Sequence, residues 1–216
     1  MLSRVLFLLT LSACYLRSYP LTPSIVSQST FKLMADEGGG TAWAVGPYHL
    51  VSAGHVCDMT GPFRAEGIYR RFLATPIVWW HDGEGKRDVC VLKTSIKMDS
   101  WLIIASTLPE KGAKIGYVGY PMLQYGEFDG EYLGDLDGKD TWNDYAFSAP
   151  CAPGASGSPV YSDKGVWGVL VRLRTDEGYI HPGDDGCVAT GLPVLKEILQ
   201  EAGVNYNVPP EIMDDI

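Results

Sequence analysis

From Phe31 onward, short apolar runs alternate with polar breaks: TAWAVG at 41–46, HLVSAG at 49–54, TPIVWW at 75–80, DVCVLK at 88–93, KIGYVGYP at 114–121, SPVY at 158–161 and GVWGVLVRL at 165–173. The runs are rich in Val, Ile, Tyr and Trp, and Gly, Pro or Asp separates them. β-Branched and aromatic side chains suit a pleated, half-buried surface, so runs of about four to eight residues with turn residues between them read as strands. A helical period sustained over a dozen residues occurs only near the end, in LPVLKEILQEAG. There Leu192, Leu195, Ile198 and Leu199 share one face and Gly203 supplies a stop. The pattern predicts an all-β protein with a C-terminal α-helix over 192–203 and an acidic tail over 204–216. Many short strands in one chain favour closed or sandwiched architectures over a single open sheet. The break STLPEKG at 106–112 divides them into similar halves, about 31–106 and about 112–192.

Ahead of the strands, a positive start at Arg4 leads into an apolar stretch from Val5 to Leu11. A bilayer span needs about 20 such residues, whereas this length suits the apolar region of a signal peptide, here 1–13. Leu11-Ser12-Ala13-Cys14 resembles a bacterial lipobox, in which the cysteine becomes the lipidated first residue of the mature chain. A lipid on Cys14 would tether the protein to a membrane without crossing it; the alternative is a cut at a neighbouring small residue. The polar stretch that follows, to residue 30, reads as a linker. Export to a secreted, periplasmic or cell-surface location places Cys57, Cys90, Cys151 and Cys187 where disulfides form, with three pairings open.

Composition narrows the function classes. Of the 216 residues, 46% are apolar and 20% charged, as in a packed globular protein. A formal charge of −9 with no basic run repels phosphates and argues against nucleic acid as a partner. Metal and cofactor chemistry finds no support: CxxC and HExxH spacings are missing. Gly38-Gly39-Gly40 leads into a strand instead of a helix, so it is no phosphate loop. DGEYLGDLDGKD lacks the closing glutamate of a calcium loop and reads as a polar hairpin.

One chemical constellation stands out. In PGASGSPVY, Gly154 can take backbone angles closed to other residues and so let N–H groups converge on one space. Gly157 keeps bulk away from the Ser156 hydroxyl. A serine hydroxyl is a weak nucleophile and needs a base. His55 follows an apolar strand in the small-residue turn of LVSAGHVC, whereas His49, His81 and His181 occupy turns and loops that read as surface. Asp88, immediately before the strand DVCVLK, is placed to be buried against an imidazole and orient it; Asp82, in the preceding loop, is the runner-up.

The order GTAWAVGPYHLVSAGH, RDVCVLK, GYVGYP, PGASGSPVY, GVWGVLV and CVATGLPVLKEIL resembles the trypsin-like serine protease family, above all its short bacterial and viral members. The resemblance spans about 31–200 and implies a protease domain over 31–203 built of two perpendicular six-stranded β-barrels. It also implies a serine endopeptidase acting on protein or peptide substrates through an acyl-enzyme, with His55 as base, Asp88 as its orienter and Ser156 as nucleophile. The oxyanion donors would be the N–H groups of Gly154 and Ser156. Pro150 would stand at the base of the specificity pocket, without an acidic group there. Arg172, on the pocket wall strand, would either attract an acidic side chain or point to solvent. Family members bridge the regions of Cys151 and Cys187. Cys57 and Cys90 lie two residues beyond the base and its orienter, and both a bridge and two buried thiols stay open. Gly54 departs from the family, where alanine is usual, and so does Cys90. A protease-fold binding protein without turnover is the alternative function. An α/β-hydrolase is disfavoured by the His–Asp–Ser order and by the lack of helices between strands.

Overall fold

The computed structural model describes residues 24–82, 87–135, 144–173 and 186–206. The signal segment with Cys14, His181 and the tail beyond 206 lie outside these residues. Six strands form the first barrel: β1 (Thr30–Met34), β2 (Gly39–Gly46), β3 (His49–Ser52), β4 (Phe63–Glu66), β5 (Arg71–His81) and β6 (Asp88–Thr94). They close in the order β1-β2-β3-β6-β5-β4. The second barrel uses β7 (Lys114–Gly119), β8 (Gly126–Asp135), β9 (Asp144–Ser148), β10 (Pro159–Ser162), β11 (Gly165–Leu173) and β12 (Cys187–Gly191). Its order, β7-β8-β9-β12-β11-β10, repeats that of the first strand for strand. All ladders are antiparallel, and closure leaves neither sheet with a free edge.

Successive side chains of a strand point to opposite faces, and the packing follows that alternation. In β1, Phe31 and Leu33 point into the first barrel while Lys32 and Met34 face outward; Phe31 meets Phe72 of β5 edge to face at 5.1 Å. The second barrel is filled by aromatic rings around the fully buried Trp167, which Tyr132, Tyr145 and Phe147 meet at 5.2, 6.4 and 6.2 Å. A third apolar layer joins the outer wall of the first barrel (Trp43, Val51, Val89) to Val169 of β11 and to the terminal helix.

Among the described residues, three α-helices accompany the barrels: α1 (Ile25–Gln28), α2 (Gly54–Cys57) and α3 (Leu192–Glu201). α3 buries the predicted face, Leu192, Leu195, Ile198 and Leu199. It ends as Gly203 turns to φ +68°, with Gly203 N–H donating to the Gln200 carbonyl (3.1 Å) and Val204 N–H to that of Leu199 (2.9 Å). This left-handed cap satisfies carbonyls that the last turn would otherwise strand.

Of the expected linker, residues 24–30 are described, and they are packed against the barrels. Ser24 caps α1 by accepting the Ser27 N–H (3.2 Å), and Ser27, Ser29 and Thr30 are buried. The Ser27 hydroxyl donates to Glu127 of β8 (2.8 Å), and those of Ser29 and Ser100 are bonded at 3.0 Å. Serines suit a solvated linker and a capped turn equally well, because their hydroxyls satisfy backbone or side-chain partners at short range.

Candidate active site

β3 ends at Ser52 and the chain passes through Ala53 into the single turn of α2, which carries His55. This turn lies so close to the end of β5 that a Cβ on Gly54 would stand 2.1 Å from the Trp80 carbonyl oxygen and 3.0 Å from Asp88 Oδ1. Glycine is therefore required at this position. The close approach brings His55 onto Asp88, the first residue of β6. The His55 N–H donates to Asp88 Oδ1 (2.8 Å), and its ring Nδ1 pairs with Oδ2 (2.7 Å). An ionised carboxylate only accepts, so this pairing puts the ring proton on Nδ1 and leaves the Nε2 lone pair free to act as a base. Asp88 is buried, while the imidazole keeps 30% of its side-chain surface exposed. A disulfide between Cys57 and Cys90 (Cα–Cα 6.5 Å) ties α2 to β6, so the bridge that the sequence left open is formed. Asp82 accepts the Arg87 N–H (3.4 Å), and Asp88 supplies both contacts to His55.

Ser156 lies in the turn before β10, half-buried, and its hydroxyl approaches the Val171 carbonyl of β11 at 3.4 Å. Both candidate anion-binding peptides are held from their carbonyl side. The Pro153 carbonyl accepts the Met122 N–H (2.6 Å), and that of Ala155 accepts the Ser158 N–H (3.0 Å) and hydroxyl (2.6 Å). In a trans peptide the N–H opposes the C=O, so the N–H groups of Gly154 and Ser156 point away from these anchors. Neither donates to a backbone acceptor among the described residues. Gly154 takes φ +93°, and a Cβ there would come within 2.6 Å of the Tyr120 carbonyl.

Gly157 has a steric role beyond the one expected. It does not simply clear the approach to the hydroxyl: at φ +90°, its missing Cβ would lie 1.9 Å from the Thr41 carbonyl, 2.4 Å from Ser52 Oγ and 3.1 Å from the Ala53 nitrogen. The serine turn of the second barrel is thus pressed against β2 and the lead-in to His55 in the first. Thr41 of β2, which the sequence did not single out, fastens this joint. Its N–H donates to the Ser156 carbonyl (2.8 Å) and its hydroxyl to the Gly154 carbonyl (2.9 Å), while the hydroxyl accepts the Tyr120 N–H (3.0 Å). Its own carbonyl takes the Ser52 hydroxyl (2.7 Å).

His81 was expected in a loop. It is the last residue of β5, across the ladder from Asp88, with its ring 6.0 Å from that of His55 and its Nδ1 bonded to Asp58. The signal was the strand run IVWWH continuing one residue beyond the tryptophans. Pro150 is exposed, and its carbonyl accepts the hydroxyl of the buried Tyr117 (2.5 Å), whose proton burial holds well above the ordinary tyrosine range. Arg172 is exposed, and its guanidinium also donates to the buried Asp144 (2.7 Å). Cys151 and Cys187 are bridged (Cα–Cα 6.0 Å), securing the segment before the serine turn to β12. Among the described residues, no three His, Cys, Asp or Glu side chains converge as metal ligands.

No protein-family profile matches the sequence, and no curated protein does. Solved structures do match in fold. The active form of the Rv3671c protease from M. tuberculosis is 18% identical, with a TM-score of 0.69 over 86% of this chain and 85% of that one. Its inactive form gives 18% and 0.64 over 83% and 91%. A serine endoprotease from Yersinia pestis gives 13% and 0.67 over 82% of this chain and 63% of that one. The two closed six-stranded barrels with a C-terminal helix are the chymotrypsin-like fold of trypsin-like serine proteases.

Proposed function

We propose that the chain is a serine endopeptidase whose base, orienter and nucleophile are His55, Asp88 and Ser156. The observation that carries this reading is the double hydrogen bond from His55 to Asp88, made beside a serine turn whose two candidate donors face away from their anchored carbonyls. Ser156 Oγ attacks the scissile carbonyl carbon as His55 Nε2 takes the hydroxyl proton. The negative charge gathers on the former carbonyl oxygen, where the N–H groups of Gly154 and Ser156 stabilise it. Collapse of this intermediate passes the proton from Nε2 to the leaving amine and leaves an acyl ester on Ser156. Water, deprotonated by the same nitrogen, then hydrolyses the ester and restores the hydroxyl. Asp88 keeps the ring in the productive tautomer and stabilises its cationic form.

The proteases that share the fold support a reading with peptide substrates. Two disulfides support work outside the cytoplasm, in keeping with a signal segment ahead of the domain and a lipid on Cys14. The test is labelling of the full chain with a fluorophosphonate probe beside Ser156→Ala and His55→Ala. Labelling should vanish in the first variant. In the second, peptide hydrolysis should fall by about 10⁴-fold or more. A chain that is folded yet unlabelled is the non-catalytic binding protein of the alternative reading.

A further inference from the structure

A cleft of ≈ 290 Å³ opens beside Gly154, lined by Gly39, Met122, Leu123 and Pro153. Met122 and Leu123 have φ +52° and +62°, the left-handed region that non-glycine residues rarely take, and they remain 67% and 40% exposed. The Pro153 and Tyr120 carbonyls hold their N–H groups, so two large apolar side chains are fixed in the open next to the candidate anion site. Met34 stands between this cleft and a second one. A Cβ on Gly39 would meet Met34 Sδ at 2.7 Å and Leu123 Cδ2 at 3.5 Å, and Met34 also lines a groove of ≈ 490 Å³ across β1, β4 and β5.

That groove carries Lys32, Arg64 and Arg71 against one acid, Glu66. Glu66 is shared between Lys32 (3.1 Å) and Arg71 (3.4 Å). Its carboxyl is held below the usual range, chiefly by the hydrogen bond from Lys32, with the charges of Lys32, Arg71 and Arg64 adding to it. The carboxylate of Asp36, on the turn after β1, lies against Gly61. The groove is thus a cationic strip on a chain of net charge −9, and an acidic segment repelled elsewhere is attracted here.

His55 must deliver a proton to the leaving amine, so the leaving half of a substrate lies on the side of the first barrel. Gly40 belongs to that side, since a Cβ there would touch Val56, the neighbour of His55, at 2.9 Å. From the adjacency of these clefts we infer that the protein selects substrates in which the scissile bond is followed by an apolar pair and then an acidic stretch. The apolar pair packs on Met122 and Leu123, and the carboxylates reach Lys32, Arg64 and Arg71. This inference rests on the proposed peptidase reading.

Two peptide mixtures test it, each with a degenerate N-terminal half, two leucines, and then three glutamates or three glutamines. With the full chain at about 50 mM salt, kcat/KM for cleavage before the leucines should be about tenfold higher for the glutamate series, as two or three exposed ion pairs allow. The ratio should fall to about one at 0.5 M salt, where screening shortens charge interactions to a few ångströms, and in the triple variant Lys32→Gln, Arg64→Gln, Arg71→Gln. Fluorophosphonate labelling of Ser156 in that variant reports that the site is still assembled. Equal rates for the two series overturn the inference, as does a preference that survives the triple variant or favours glutamates placed before the bond. Fluorescence-polarisation binding of the same peptides to Ser156→Ala needs no turnover. A glutamate preference there that depends on the three cations supports the groove even where wild-type labelling fails and sinks the peptidase reading.

Discussion

Thr41 shows how one side chain can hold a site that it never contacts chemically. Its hydroxyl sits between the Tyr120 N–H and the Gly154 carbonyl, and its backbone between Ser156 and Ser52. Thr41→Val keeps the shape and the backbone bonds but removes the hydroxyl, stranding a buried N–H and a half-buried carbonyl. The expected cost is about 1–3 kcal/mol of stability. Loosening the Gly154 peptide should lower kcat/KM by about 10- to 100-fold. Denaturant melts and peptide hydrolysis measure the two, and an unchanged kcat/KM would refute the positioning role. Thr41 was invisible in the sequence because its partners lie 79 and 113 residues away and it sits in an ordinary strand run. GASGSP was legible for the opposite reason: its glycines must take angles that other residues resist, and the sequence displays that need directly.

At the scale of elements, strands announced themselves through β-branched and aromatic runs, and α3 through its apolar face. The short pieces did not. α1 and α2 have four residues each, too few to show a period, and their form depends on what they touch. α2 illustrates the consequence: one turn of helix carrying the imidazole has little stability of its own. It is secured by the Asp88 contacts and by the Cys57–Cys90 bridge, which closes a loop of sequence separation 33. Replacing both cysteines by alanine should cost about 3–4 kcal/mol, and hydrolysis should fail at a lower denaturant concentration than global unfolding, because the turn bearing His55 loosens first. Coincident loss of hydrolysis and of Trp fluorescence in the variant would argue against such local loosening.

For the molecule as a whole, the two six-stranded barrels were readable, whereas the repeated order of strands was not. Pairing between β3 and β6 or between β9 and β12 is non-local and leaves no mark on either strand's composition. The candidate site belongs to neither barrel alone. Val171 and Val188 of the second pack into the apolar cluster of the first, and Gly157 rests against Thr41.

Both disulfides lie within a barrel: Cys57–Cys90 in the first half and Cys151–Cys187 in the second. Between residues 94 and 114 one stretch of backbone is therefore the sole covalent link among the described residues, and its tip at Glu110, Lys111 and Gly112 is exposed. A nick there converts the protein into a two-chain heterodimer held by the shared apolar layer. Limited proteolysis after Lys111 should give a species that stays together on gel filtration and still reacts at Ser156. It should separate into two fragments in non-reducing denaturing gels, and dissociation without denaturant would mean that the layer between the barrels cannot hold the halves by itself.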